Sequence, residues 1–316
     1  MRRFILFRFV AFWLLLSSRL YGQQFYMTDS IPRLKKSATF YGVLIFHGAA
    51  TTGSFLSLNR SWYADYPRQS FHFTNDWNDW NKMDKLGHMW TAYSLARLSS
   101  ASWRWSGLSP TEADLAGTVS ALGYQSLIEV ADGFSSHWGF SWTDFAANLA
   151  GINLYLSQQL MWKNQRVQMK VMAYKPYTYR GELSARAEQL FGNGNINRLL
   201  NDYNVQTYWL SANLNTLLSE NRLPPWLGIS VGYGSRLLLG RNTNQWMSRT
   251  GYEIDRSDIP RYHRFFIAPD IDLTRIKTKN RLLRSVFLVL NSFKMPAPTL
   301  EISSNGNIQW HFLLLN

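Results

Sequence analysis

The chain has 316 residues, of which 46% are hydrophobic and only 17% are charged, with a formal net charge of +13 and no cysteine. High hydrophobicity with low charge excludes an intrinsically disordered chain, and a chain of this length can bury a substantial core. The lack of cysteine excludes a disulfide scaffold, zinc–thiolate and iron–sulfur sites, a cysteine nucleophile and a lipid anchor on an N-terminal cysteine.

Residues 1–22 have the layout of a secretory signal peptide. A basic start with three arginines precedes the apolar run from Phe9 to Leu16, and the small residue Gly22 precedes the expected cleavage point. The run is shorter than the roughly 20 apolar residues that span a bilayer. We therefore expect an exported protein, and removal of this segment lowers the formal net charge from +13 to +9.

Residues 23–173 predict a bundle of about four helices. Apolar residues recur there at intervals of three and four or form uncharged runs. Pro110 and Ser141 are suitable residues for the starts of the third and fourth helices. The four helical segments are 37–59, 84–98, 110–128 and 142–162.

Two environments remain open for this bundle. Its uncharged runs indicate membrane association, but polar residues such as Gln125, Asn148 and Gln158 are costly against lipid tails. Buried core helices of a compact domain show the same pattern. We favour a membrane-associated bundle.

The second half of the chain changes to the two-residue period of β-strands. After a polar linker, residues 174–204, the domain 205–316 predicts a small antiparallel sheet with one further helix, Leu282–Phe293. The fold class is therefore α+β. Four strand candidates are 208–214, 226–234, 265–273 and 310–314. Residues 300–302 together with residue 308 form a fifth candidate.

Three polar pairs interrupt the apolar helices at spacings that place both members on one helix face. If a bundle brings the pairs to one end, their ionisable groups surround one cavity, and these are the candidate catalytic residues. The pairs are Asp84 and His88, Glu129 and Asp132, and Asp144 and Asn148.

Such a cluster can bind a divalent cation, with His88, Glu129 and Asp132 as candidate ligands, or perform acid–base chemistry. A structural interpretation stands beside it, because Asp84 and Asp144 each lie in a first helical turn, where an acid stabilises free amides. Lys85 can pair with a carboxylate of a neighbouring helix.

These motifs resemble an uncharacterised bacterial envelope family, the predicted periplasmic lipoproteins of unknown function. The Asp-Lys-x-x-His element is also similar to VanZ-like membrane proteins. The first resemblance extends over nearly all of the mature chain and implies an envelope location without an established activity. Because the chain has no cysteine, membrane attachment would depend on the polypeptide itself. The segments that carry the resemblance are 83–88, 129–134, 138–144 with Asn148, 260–272 and 294–301.

A basic patch occupies ten positions of the second half without an acid. In an exported protein such a patch favours lipid headgroups or lipopolysaccharide over nucleic acid, although a solvated helix start explains it equally well. Its members are Arg275, Lys277, Lys279, Arg281 and Arg284.

Two function classes follow. We favour a non-enzymatic component of the outer membrane or of its periplasmic face that binds membrane lipid, lipopolysaccharide or an envelope protein, because no complete nucleophile or phosphate motif occurs. The alternative is a metal-assisted or acid–base hydrolase acting on a lipid or cell-wall phosphoester. No cofactor is implied beyond a divalent metal.

Overall fold

This computed structural model describes residues 33–63, 66–218, 223–248 and 251–315, so the expected signal peptide lies outside the described residues. The fold is α+β, as predicted, and its main sheet has six antiparallel strands. The chain forms two compact units. The first comprises the residues up to Asp76, His88–Gln165 and Lys277–Leu290; the second comprises Trp77–Gly87, Arg166–Ile276 and Asn291–Asn316.

All four predicted helical segments are helical. Their bounds are α1 Arg33–Leu58, with a π-helical turn Asn59–Tyr63 after it, α2 Met83–Trp105, α3 Pro110–Gly133 and α4 Trp142–Trp162. Two short strands, β1 Phe73–Thr74 and β2 Phe140–Ser141, pair in parallel beside them.

Side-chain caps determine where two of these helices begin. The Ser109 hydroxyl accepts a hydrogen bond from the Glu112 amide while the Glu112 carboxylate accepts one from the Ser109 amide, which forms a capping box at the start of α3. The Ser141 hydroxyl accepts from the Asp144 amide at the start of α4, as the sequence predicts. Lys163 ends α4 in the left-handed conformation with a φ of 54°.

Within the part of the chain that the structure describes, no helix combines the length and the apolarity needed to cross a membrane.

The later elements extend from residue 167 to residue 311. The helices are α5 Glu182–Phe191, α6 Asn195–Asn201, α7 Leu214–Leu217 and α8 Arg281–Leu290. The strands are β3 Val167–Met172, β4 Thr207–Asn213, β5 Leu227–Arg236, β6 Gln245–Met247, β7 Glu253–Asp255, β8 Tyr262–Ile271, β9 Thr299–Ser303 and β10 Ile308–His311.

The main sheet has the strand order β10-β9-β8-β5-β4-β3, and β6 and β7 form a separate hairpin. Each strand candidate overlaps a strand of the main sheet, with residues 308 and 310–311 both in β10, whereas β3 lies in the segment assigned to the helical domain. The segment 174–204, expected to be a linker, contains α5 and α6.

The two faces of the main sheet differ in polarity. One face, here called the inner face, carries the buried aromatic pair Trp209 and Phe266 together with buried charges. There the Asp270 carboxylate lies 2.7 Å from the Lys170 ammonium and 3.4 Å from that of Lys294.

The opposite side, here called the outer face, is largely apolar. It is buried at Met169, Val171, Tyr208 and Ser235 and exposed or half-buried at its other apolar positions. Its most exposed side chains are Leu210, Ile229, Val231, Phe265, Ile267, Ile302, Ile308 and Trp310.

Two glycines of the first unit permit close approach of its helices. A Cβ atom on Gly117 of α3 would clash with the backbone nitrogen of Ser100 on α2, and one on Gly151 of α4 would clash with the carbonyl oxygen of Met89. Gly123, also on α3, has open space at the same position.

These contacts predict that replacing glycine by alanine has opposite effects on stability at two positions of α3. Gly117→Ala should lower the free energy of unfolding by about 1–3 kcal/mol because the methyl group overpacks the α2–α3 contact. The control, Gly123→Ala, should raise it by about 0.5–1 kcal/mol through helix propensity alone. Chemical denaturation of both variants measures the difference, and equal effects would contradict the α2–α3 packing.

Candidate functional site

His88 of α2 is held on one side by a chain of buried amides and a carboxylate. Its Nδ1 atom lies 3.3 Å from Glu129 Oε1 and 3.3 Å from Asn148 Oδ1. Gln125 Nε2 donates to Asn148 Oδ1 at 2.6 Å, and Asn148 Nδ2 lies 3.4 Å from Glu129 Oε1. A proton on Nδ1 would let the ring donate to Asn148 Oδ1, which already accepts from Gln125.

The other ring nitrogen of His88 faces a carboxylate. His88 Nε2 lies 3.8 Å from Asp144 Oδ1, and Asp84 precedes His88 by one turn of the same helix. An imidazole nitrogen and a carboxylate oxygen of the first unit are therefore close enough to share one cation.

Glu129 is the most deeply buried ionisable group of this cluster, with 1% of its surface exposed. Burial raises the pKa of its carboxyl to about 8, and the charges of Asp144 and Asp132 act in the same direction. The charge of His88 and the Ser141 amide oppose this rise in the pKa. Glu129 is thus a carboxyl that can hold a proton near neutral pH.

Asp132 points to a different partner. Its Oδ1 atom accepts a 2.6 Å hydrogen bond from the Tyr63 hydroxyl, and burial together with the Asp132 charge raises the pKa of Tyr63. Within the first unit the structure thus brings His88 and Asp144 together, with Glu129 on the other ring nitrogen of the histidine.

Asp84 and Lys85 have contacts within the second unit. The Tyr203 hydroxyl donates to Asp84 Oδ1 at 2.7 Å, and the buried Lys85 ammonium lies 3.2 Å from Asp84 Oδ2. Lys85 therefore pairs with the carboxylate of the residue that precedes it in the chain.

Asp76 supports the site, and no pattern in the sequence predicts this role. Its buried carboxylate accepts hydrogen bonds of 2.6 Å from the Ser141 and Thr143 hydroxyls, which anchors the first turn of α4 and hence Asp144. Asp76 precedes these partners by more than 60 positions, so spacing could not reveal it. Helical spacing could have predicted that Gln125 lies near the site, because it precedes Glu129 by one helical turn.

The predicted basic patch is divided between the two units. Arg275 belongs to the second unit and pairs with Asp272 at 3.1 Å. Lys277 and Lys279 are exposed residues of the first unit, Arg281 begins α8, and Arg284 donates to the Thr278 carbonyl at 3.0 Å.

Comparison with known proteins gives one match. Residues 73–158 match the model of a family described as "Predicted periplasmic lipoprotein (DUF2279)". This confirms the predicted resemblance over those residues and supports an exported, envelope-associated location. The match includes His88 and its neighbours Gln125, Glu129, Asp144 and Asn148. The similarity to VanZ-like proteins stays a prediction. No curated protein and no solved structure matches the chain.

The buried Glu129 carboxyl predicts a pH dependence of stability. Its pKa is about 8 in the folded protein and 4.5 in its ordinary state, so the folded chain retains a proton that the unfolded chain releases. The free energy of unfolding should therefore fall as the pH rises from about 5 to about 8. Glu129→Gln removes this titration and should flatten that part of the profile.

Urea denaturation with a chelator present, at pH 5 and at pH 8, measures this effect. The matched control is Glu188→Gln, which changes an exposed glutamate of α5 and should keep the wild-type slope. If Glu129→Gln also keeps that slope, the buried carboxyl does not hold its proton.

Proposed function

We propose that the protein is a non-enzymatic component of the outer membrane or of its periplasmic face, and that it contacts lipid acyl chains through the outer face of its main sheet. The observation that carries this proposal is the polarity of the sheet. No Asp, Glu, Lys or Arg occupies a strand position on the outer face, whereas the inner face contains several.

The apolar side chains of the outer face are contiguous. Strand register pairs Leu210 with Val231, Val231 with Ile267, Ile267 with Leu300, and Leu300 with Trp310, which makes one row across five strands. Val231 is 54% exposed and Trp310 is 67% exposed. Exposed apolar patches that continue across several elements mark surfaces that meet lipid or another apolar partner.

The buried charges of the inner face also support lipid contact by the outer face. In antiparallel sheets with one face toward water, the apolar face normally packs on the core and the polar face is solvated. Here the order is reversed, because Lys170, Asp270, Arg264 and Glu301 are buried within the unit. Strands that face lipid alternate in this way, with apolar residues toward the acyl chains.

Lipid suits this surface better than a protein partner. A protein interface carries about one hydrogen bond per 100–200 Å² and has a polar rim. The outer row offers no charged side chain, and lipid acyl chains need no hydrogen bonds. A partner protein is an outcome that the test below can distinguish.

A lysine placed in the outer row tests the proposal. Val231→Lys and Ile267→Lys should each weaken binding to phosphatidylcholine vesicles at least tenfold, because a lysine amid acyl chains costs about 2–4 kcal/mol. The control is Met247→Lys, which adds the same charge at a 60% exposed position of β6, outside the main sheet.

Vesicle flotation of protein purified in detergent measures the binding. Flotation of both outer-row variants at the wild-type level would reject lipid contact by this face. The face would be assigned to a protein partner instead under two conditions. None of the proteins floats with the vesicles, and the wild type self-associates or captures a protein while the outer-row variants do not.

A second candidate function has its own observation, the orientation of His88. With its proton on Nδ1, the ring would present the Nε2 lone pair to Asp144 Oδ1, 3.8 Å away, and one cation could bind both atoms. We propose that His88 and Asp144 bind a divalent metal, with Glu129 orienting the imidazole. Such an ion can activate water for hydrolysis of a phosphoester. Helices α1 to α4 would then form the bundle predicted around this site.

Two isosteric substitutions test the metal site. Asp144→Asn removes a ligand and should weaken Mn²⁺ or Zn²⁺ binding at least tenfold, whereas Asp132→Asn, which removes an equal charge beside Tyr63, should preserve it. Titration calorimetry measures binding, and hydrolysis of bis-p-nitrophenyl phosphate measures activity. Equal metal affinity in both variants, or no binding by the wild type, would reject this site.

A further inference from the structure

The second unit contains a polar cavity that neither proposed function uses. Its volume is about 370 Å³, within the range of small-molecule sites. The lining extends from the buried side chains of Arg236, Arg264 and Glu301 to the exposed side chains of Lys175 and Gln309. The cavity therefore leads from solvent to a charged, buried end.

Among the described residues that line this cavity, cations outnumber carboxylates. The cations are those of Lys175, Arg236 and Arg264, and the carboxylate is that of Glu301. Glu301 is already engaged, because its two oxygens accept bonds of 2.6 and 2.7 Å from Arg264 and one of 2.7 Å from His311. Although burial alone would raise it, the pKa of Glu301 is lowered to about 2, chiefly by its hydrogen bonds with Arg264 and by the charge of Arg264.

Arg236 adds positive charge at the buried end. It is 6% exposed, its guanidinium donates to the Asn204 carbonyl, and it lies over the Tyr177 ring at 4.7 Å. Burial and the nearby charge of Arg264 lower the pKa of Arg236 to about 10, while the charge of Glu301 acts in the opposite direction, so the two guanidinium groups disfavour each other. An anion in the cavity would relieve this repulsion.

The charge of the lining indicates the kind of anion. An excess of cations in the lining suits a phosphate group, which is doubly ionised above its second pKa of about 6. Arginine and lysine together are the usual phosphate ligands. Neutral hydrogen-bonding groups complete the lining: Tyr262, Ser303, Asn307 and Gln309.

We propose that this cavity binds the phosphate group of a small polar molecule, between Arg236 at its buried end and Lys175 at its opening. The phosphate comes either from a free phosphomonoester or from a lipid headgroup, and the chemistry of recognition is the same. The inference does not depend on lipid contact by the outer face or on metal binding at His88.

Titration calorimetry at pH 8 and constant ionic strength, with inorganic phosphate and with glycerol phosphate as probes, tests this site. Lys175→Gln and Arg236→Gln should each weaken phosphate binding at least tenfold. The control Lys279→Gln removes an exposed cation of the first unit and should bind like the wild type. Lys175 is exposed, so its variant keeps the test valid even if Arg236→Gln does not fold.

Two vesicle arms distinguish the sources. If phosphatidylcholine vesicles containing phosphatidate bind more tightly than phosphatidylcholine alone, and Lys175→Gln removes the difference, the source is a headgroup; binding of glycerol phosphate without that difference assigns a free phosphomonoester. No binding of any phosphate probe, or equal binding by Lys175→Gln and Lys279→Gln, would overturn the proposal. Loss of phosphatidylcholine binding in Val231→Lys concerns the outer face only, so the two proposals fail separately.

Discussion

A buried charge must find its partner inside the fold, and the second unit is built on this constraint. Asp270 lies between the ammonium groups of Lys170 and Lys294 on the inner face, and the Ser211 hydroxyl also donates to it. Removing one member of such a group leaves the others uncompensated, which costs about 3–5 kcal/mol. Because these charges and their partners fill the inner face, the alternate positions of the same strands are left for apolar side chains.

The first unit obeys the same constraint with a different result. The Glu129 carboxyl contacts Asn148 and His88. Its raised pKa also reduces its negative charge near neutral pH. His88 Nε2 lies 3.8 Å from Asp144 Oδ1. On the inner face of the second unit, Asp270 offsets the charges of Lys170 and Lys294, whereas in the first unit a raised pKa reduces the charge of Glu129 itself.

The sequence predicts the elements better than it predicts their environments. The N-cap Ser141 and the uncharged pattern after it locate α4 from Trp142 to Trp162, and alternation locates β5 and β8. The strand β3 escapes prediction because it follows α4 after a few residues and its inward side chains, Gln168 and Lys170, are those of a polar loop.

Alternation also reveals a period without revealing which side faces inward. The outward direction of the apolar side chains depends on the buried ion pairs, and these join residues about 100 positions apart, such as Lys170 and Asp270. Helical spacing found Asp84, His88 and Asp144, but it could not show that Asp132 turns to Tyr63 or that Asp76 anchors α4. Long-range partners of this kind need the folded structure.

The most direct measurement of lipid contact by the outer face uses the absence of cysteine from the chain. Single substitutions Val231→Cys and Ile267→Cys, with Met247→Cys as the exposed control outside the main sheet, allow a nitroxide spin label at each position in protein reconstituted into vesicles. If the account is correct, the outer-face labels collide more with dissolved oxygen than with a water-soluble nickel chelate, and the label at position 247 shows the reverse. Preference for the nickel chelate at positions 231 and 267 would contradict it.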